Sequence, residues 1–224
     1  MPSTKVTEIK KSTFYHVVKR LMDIFFSILL IIFFLPVIII IAIAIKLGSK
    51  GPILANTPNR VGRNGKLFKM YKFRSMVENA HEILRDNPKY SNLYNIYKKG
   101  SYKLKDDPRI TKIGHLLRKH SLDEIPQALN ILKGEMSLVG PRAYYPDELQ
   151  EQQKKYPYTI DSVKIVLSVK PGVTGYWQVS GRSQINFDKR IQMDAMYVKK
   201  RSILYDLWIV GKTPFAMITG IGAL

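Results

Sequence analysis

The chain has 224 residues and carries 36 Lys and Arg against 17 Asp and Glu, a formal net charge of +19. That length suits one domain with a real core plus attachments, and the charge calls for phosphate in some form: nucleic acid, anionic lipid or a phosphorylated substrate. Cysteine is absent, which excludes disulfides, thiolate nucleophiles and Cys-based zinc sites. The four histidines, His16, His81, His115 and His120, show no HExxH spacing and read as surface residues.

Residues 24–45 form a nearly unbroken apolar run in which Ser27 is the only polar side chain and Pro36 stands near the middle. At ~1.5 Å per residue the run measures roughly 33 Å, enough to cross a ~30 Å hydrocarbon core. It exceeds the ~7–15-residue core of a signal peptide, so cleavage after Ala44 is not expected. Pro36 removes a backbone donor and crowds the preceding turn, which predicts a bend inside the run. Lys10, Lys11, Lys19 and Arg20 precede the run; Lys46, Lys50, Arg60, Arg63 and Lys66 follow it. Because positive residues stay on the cytoplasmic side, two basic flanks suit a helix that enters, breaks at Pro36 and returns to the same face. A spanning helix stays open on these residues alone. Asp23, beside Lys19 and Arg20, reads as an interfacial anchor paired with them.

Residues 53–75 predict a β-hairpin, with Asn64-Gly65 as its turn signal. In the second arm Lys72 and Arg74 fall on one face and read as a solvated edge. Residues 77–100 predict a helix followed by an exposed polar loop. Over 109–120, Ile110, Ile113, Leu116 and Leu117 recur at helical spacing, which leaves Lys112, Arg118 and Lys119 for solvent or a ligand.

Ser121-Leu122-Asp123-Glu124-Ile125-Pro126-Gln127 reads as a helix start, capped by Ser121 or by Asp123. Either choice puts both carboxylates at a helix N-terminus, where the dipole favours negative charge and an ionised Asp123. Acidic residues in a first turn are commonly just caps. Here Arg109, Arg118 and Lys119 lie upstream, and Gly140-Pro141-Arg142 follows. A carboxylate attacks phosphorus when cations and a divalent metal neutralise the phosphate.

KFRSM (72–76), DPRIT (107–111), LRKHSLDEIPQALNILKGEMSLVGPR (117–142), KPGVTGYWQVSGR (170–182) and the 197–206 region resemble, in order, the bacterial sugar transferases, the small monotopic polyprenol-phosphate phosphoglycosyl transferases. The resemblance runs from about residue 19 to the end. It implies that Asp123 attacks the β-phosphate of a UDP-sugar, that UMP leaves, and that undecaprenyl phosphate then takes the sugar phosphate from the aspartyl intermediate. It implies Glu124 as the assisting residue and, with Asp123, a ligand for Mg²⁺. It also implies phosphate-binding roles for Arg118, Pro141 and Arg142, and it moves Lys72 and Arg74 from solvated edge to site. By position, Gln178, Gly181 and Arg182 become candidates for the nucleotide-sugar pocket.

The fold so implied is α+β and mostly helical. A re-entrant membrane helix-break-helix (19–47) hinges at Pro36, and a cytoplasmic catalytic core (48–224) carries the β-hairpin and amphipathic interfacial helices. Residues 1–18 form a basic extension outside the single domain 19–224. Leu35 replaces the polar residue often found before the family's proline. The stretch from Tyr197 to Ile209, with Lys199, Lys200, Arg201, Leu204 and Trp208, suits a helix at the interface. The implied location is the cytoplasmic face of the bacterial inner membrane, with membrane lipid and downstream glycosyltransferases as partners and self-association left open.

A non-catalytic, basic membrane-surface protein that binds anionic lipid also accounts for the charge and the apolar run. It leaves the ordered carboxylate and arginine motifs unexplained. No RRM, KH or zinc-finger motif is present, so nucleic acid is not an expected partner. Transferases that make the same product by direct attack need many transmembrane helices, and only one apolar run here is long enough.

Overall fold

In the computed structural model, which describes residues 12–99, 102, 104, 106–180 and 185–219, the apolar run lies within one helix, α1 (Thr13–Gly48). Ser12 starts it, with its side-chain oxygen accepting from the Tyr15 N–H at 3.2 Å. Helical backbone continues through Pro36, so the interruption expected there is absent. A proline inside a helix costs ~3 kcal/mol. That cost is offset because the half beyond Pro36 is held: Ile41 and Ile45 are buried against Phe73, Leu117 and Ile125. The helix also begins at Thr13, six residues before the expected domain boundary at 19.

α1 is bolted to the rest of the chain by polar contacts at its basic end, and the partners differ from those expected. Lys19 Nζ reaches Asp206 Oδ2 at 2.6 Å and the Val139 carbonyl at 3.1 Å. Arg20 donates to the Ile131 and Leu132 carbonyls at 2.6 and 2.8 Å. Asp23, expected to pair with those two cations, instead accepts from Ser137 Oγ and the Leu138 N–H, both at 2.9 Å. Buried carboxylates need donors, and the nearest sit on a strand 114 positions away.

The hairpin is present but short. β1 (Arg60–Val61) pairs antiparallel with β2 (Leu67–Phe68), in register Arg60↔Phe68. Its turn holds Asn64 at φ 56° and Gly65 at φ 79°, the left-handed conformations that an Asn-Gly pair tolerates. The expected arms of 53–75 reduce to these pairs plus isolated bridges at Leu54↔Phe73 and Met76↔Ile110. The predicted loop after the next helix is mostly helical: α2 (Ala80–Asp86) leads to α3 (Ser91–Lys99), and Tyr97, Tyr102 and Leu104 bury against Leu84 and Tyr145.

α4 (Lys112–Lys119), a 3₁₀ turn (Leu122–Gln127) and α5 (Ala128–Leu132) lead into β3 (Ser137–Val139). A parallel partner, β4 (Gly172–Thr174), returns beside it after α6 (Pro146–Lys155) and α7 (Ile160–Leu167). Three-residue strands carry too little pattern to be seen in sequence. Behind them, Tyr144, Leu149, Val163, Val166, Phe187 and Ile191 form a core that includes α9 (Phe187–Lys200), which follows the short helix α8 (Tyr176–Ser180). α10 (Ile203–Thr219) then starts anew, so the single interfacial helix expected over 197–209 is two helices, with Tyr197 and Ile209 buried and Leu204 and Trp208 outward.

Gly140 and Gly172 let β3 and β4 close on each other. A Cβ on Gly172 would lie 2.0 Å from the Gly140 nitrogen. Both groups are backbone and neither can swing aside. Gly172→Ala is expected to destabilise the fold by roughly 3 kcal/mol, the upper end for overpacking. The check is the thermal unfolding midpoint of protein reconstituted in nanodiscs; an unchanged midpoint would show that the strands separate freely.

Candidate active site

Four local features place the Asp123-Glu124 pair. α4 ends at Lys119, and Ser121 turns the chain through a left-handed φ of 54° into the 3₁₀ turn that carries both carboxylates. Ser121 stands at the cap position, but its side chain makes no cap hydrogen bond; Glu124 N–H bonds to the Ser121 carbonyl at 3.2 Å. The segment before α2 runs alongside: Phe73 N–H donates to the Asp123 carbonyl at 2.9 Å. Asn130 clamps the same segment, accepting from Tyr71 N–H and donating to the Lys69 carbonyl, both at 2.9 Å. Lys72 is thereby aimed at the carboxylates.

Lys72 Nζ lies 2.6 Å from Glu124 Oε1 and 3.5 Å from Asp123 Oδ2. Asp123 is 5% exposed, whereas Glu124 is partly open. Burial raises the Asp123 carboxyl above the ordinary range; Lys72 and Arg118 oppose this and Glu124 adds to it. The expectation of a carboxylate eased into its charged form by a helix terminus is thus corrected. The turn is a brief 3₁₀ segment, and desolvation is the largest influence on the carboxyl. Burial pushes the Lys72 ammonium down, but Glu124 and Asp123 more than offset it, and the net shift is upward.

The dyad opens on a cavity of about 340 Å³, within the range of ~300–1,000 Å³ usual for ligand clefts. Arg118 and Arg142 line it with Lys72, as does Gln178, whose Nε2 donates to the Val173 carbonyl at 3.1 Å. Pro141 accepts from the Gly172 N–H at 2.8 Å and so fixes the turn that presents Arg142. Behind Arg142, Asp194 accepts from its backbone N–H and from Tyr144 Oη, each at 3.1 Å; burial lifts Asp194 to about 7. The Arg142 guanidinium sits 5.6 Å from the Trp177 ring.

Arg74 goes elsewhere. Its Nε and both terminal nitrogens donate to the Pro52, Lys50 and Ser49 carbonyls, where the chain leaves α1. Those bonds serve the α1 exit, and Arg74 also borders a small recess that Lys72, Arg118 and Asp123 share. Gly181 and Arg182 lie outside the described residues.

Three residues at the cavity escaped sequence reasoning: Arg60, His81 and Trp177. His81 was expected at the surface. Burial, then Arg109, lowers it to about 4, which makes it a neutral lining group at physiological pH. No sequence signal marks it, because its partner Tyr145 comes from a distant segment.

Among the described residues no cluster of three or more His, Asp or Glu side chains is arranged for a metal ion. Mg²⁺ typically takes one or two carboxylates and fills its other positions with substrate phosphates and water. Asp123 and Glu124, adjacent on a cavity lined by arginines, fit that donor set.

A family model for bacterial sugar transferases matches residues 14–220. A Salmonella typhimurium undecaprenyl-phosphate galactose phosphotransferase is 42% identical over 92% of this chain and 41% of its own length. The exopolysaccharide production protein ExoY of Sinorhizobium fredii is 40% identical over 87% of this chain and 83% of its own. A UDP-glucose:undecaprenyl-phosphate glucose-1-phosphate transferase of Escherichia coli is 34% identical over 89% and 40%. The chain spans about two fifths of the length of several such relatives. With a match across nearly all its residues and a dyad, lysine and arginines converging on one cavity, the chain belongs to the bacterial sugar transferase family.

Proposed function

We propose that this chain transfers a sugar-1-phosphate from a UDP-sugar to undecaprenyl phosphate and releases UMP, as the first membrane step in building a polysaccharide or glycoconjugate. One piece of geometry carries this: a buried aspartate beside a lysine, at a cavity whose other cations are arginines suited to phosphate. A protein that only binds anionic lipid has no use for a buried nucleophile.

Asp123 Oδ attacks the β-phosphorus, and the bond from that phosphorus to the oxygen of UMP breaks. The electron pair leaves with UMP, and Asp123 holds the sugar phosphate as an acyl phosphate. A phosphate oxygen of undecaprenyl phosphate then attacks the same phosphorus, and the Asp123 carboxylate is released unchanged. Lys72 holds Asp123 in its charged form and orients it. Glu124 competes with Asp123 for Lys72, and it is placed to take a proton from an acceptor phosphate. Arg118 and Arg142 offset the charge that builds on the phosphoryl oxygens. Mg²⁺, when bound with the diphosphate, supplies further charge neutralisation.

The contacts of α1 support the re-entrant reading. Lys19, Arg20 and Asp23 near one end, and Ile41 and Ile45 near the other, touch the same catalytic core. A helix crossing the bilayer would carry one set to the far side. On this reading α1 lies in one leaflet, with both ends on the face it entered. Its outer stripe of Leu21, Phe25, Ile28, Ile32, Leu35, Ile39 and Ile43 faces lipid, joined by Leu204, Trp208 and Phe215 of α10. The basic flanks support a cytoplasmic side for that face.

The test is UMP release by nanodisc-embedded protein with Mg²⁺, across a panel of UDP-sugars led by UDP-galactose and UDP-glucose, with and without undecaprenyl phosphate. Acceptor-dependent turnover with one or two sugars is expected. Silence across the panel, with the protein folded and the acceptor present, would sink the proposal.

A further inference from the structure

Most of the cations at the cavity are already answered. Lys72 faces Glu124 and Asp123, the Arg109 NH2 nitrogen meets Asp107 at 2.6 Å, and Arg142 Nε lies 4.0 Å from Glu148. Arg60 is different. It is 7% exposed and lines the cavity, yet among the described residues no carboxylate lies within salt-bridge distance of it. One terminal nitrogen donates to the Ala143 carbonyl at 3.0 Å, and the guanidinium carbon stacks 3.2 Å from the centre of the Tyr145 ring. Its Nε, like that of Arg142, is buried with no hydrogen-bond partner.

Burying a guanidinium costs several kcal/mol, and native proteins meet that cost with a paired anion. An aromatic face and one carbonyl fall short of it. Burial, with the positive charge of Arg142 nearby, pushes Arg60 below its ordinary basicity. A buried donor left open at a ligand cavity calls for an anion that arrives with the ligand.

We propose that Arg60 is a substrate-binding residue that grips the diphosphate of the nucleotide donor. This rests on the transferase reading above. The donor is favoured over the acceptor because of a recess of about 150 Å³ beside the main cavity, bordered by Arg60, Lys72, Arg74, Arg118 and Asp123. No α1 residue lines that recess, whereas Ser27 and Leu30 of α1 line the main cavity. An acceptor tethered in the membrane approaches along α1. The recess, which shares Arg60, Lys72, Arg118 and Asp123 with the main cavity, is left for the two phosphates of a soluble donor.

The test uses the full chain in nanodiscs with Mg²⁺ and inorganic pyrophosphate as the probe. Binding is read from the unfolding midpoint and from competition with UDP-sugar turnover. Pyrophosphate is expected to raise the wild-type midpoint. In Arg60→Met, the pyrophosphate inhibition constant and the KM for UDP-sugar rise roughly 30-fold, as for losing a charged hydrogen-bond partner. The anion-free midpoint holds steady, since the charge removed had no carboxylate partner. Arg60→Lys, which keeps the charge but not the fork, regains part of the affinity.

Unchanged pyrophosphate binding in folded Arg60→Met overturns the proposal. So does a variant that forms its enzyme-bound sugar phosphate normally and fails only with the acceptor. Should Arg60→Met not fold, Arg60→Lys decides alone: pyrophosphate bound about ten-fold more weakly supports the site, and equal binding removes it. Pyrophosphate binding that needs Arg60, in a protein that turns over no UDP-sugar, would overturn the transferase reading and leave the anion site standing.

Discussion

Asp123→Asn is expected to lower UMP release by roughly 10⁴-fold or more, because an amide does not replace a carboxylate as a nucleophile on phosphorus. The substitution is nearly isosteric, and the contact that fixes this turn is the Asp123 backbone carbonyl bonded to Phe73 N–H, which asparagine keeps. Lys72 keeps Glu124 as a partner at 2.6 Å. Removing a carboxylate whose burial already raises its pKa relieves a desolvation cost, so the unfolding midpoint should hold or rise. Loss of activity with undiminished stability separates chemistry from folding. The intermediate gives a second readout: wild type incubated with UDP-sugar and no acceptor, then acid-quenched, should show the mass of one sugar phosphate on the peptide containing Asp123. A mutant that retains more than about a hundredth of the rate would remove Asp123 as nucleophile.

What sequence could show here was what lies within a short window. Asp123-Glu124, Gly140-Pro141-Arg142 and the Asn64-Gly65 turn each carry their meaning in a few neighbouring residues; the turn forms at Asn64-Gly65, and Asp123, Glu124 and Arg142 line one cavity. Arg74 shows the limit. Period-two alternation put it on the face of Lys72, but regular pairing ends at Phe68 and the chain continues through single bridges, so side-chain direction is set by local bonds. Arg74 accordingly turns to the carbonyls left by the end of α1.

Burial is the other quantity that a pattern of residues does not carry. Arg60 looked like a basic residue flanking a membrane helix. It is enclosed because Ala143 and Tyr145, more than 80 positions on, fold over it. Asp23 looked like a partner for its neighbours until Ser137 and Leu138 supplied better-placed donors. Asp123 was expected to be eased into its charged form by a helix dipole and is instead strained by desolvation. In each case the residue type was informative and its environment came from a distant segment.

That desolvation gives Lys72 its importance, and Lys72→Met should have the next largest effect after loss of the nucleophile. Without the ammonium, two carboxylates on consecutive residues face one cavity with Arg118 as the nearest help, and like charges so close do not both ionise readily. The kcat at neutral pH is expected to fall roughly 10²–10³-fold, the scale for losing one preorganised charge at a reacting centre. The pH profile then tells positioning from charge. Asp123 must be ionised to attack; burial raises its pKa and Lys72 opposes that rise. Removing Lys72 lifts the pKa further, so the acid limb of kcat/KM moves to higher pH and part of the lost rate returns as pH rises. The limb belongs to the dyad as a coupled pair, so its direction is the informative quantity. An acid limb that stays in place or moves to lower pH would mean that Lys72 acts on the substrate phosphate alone and does not keep Asp123 charged.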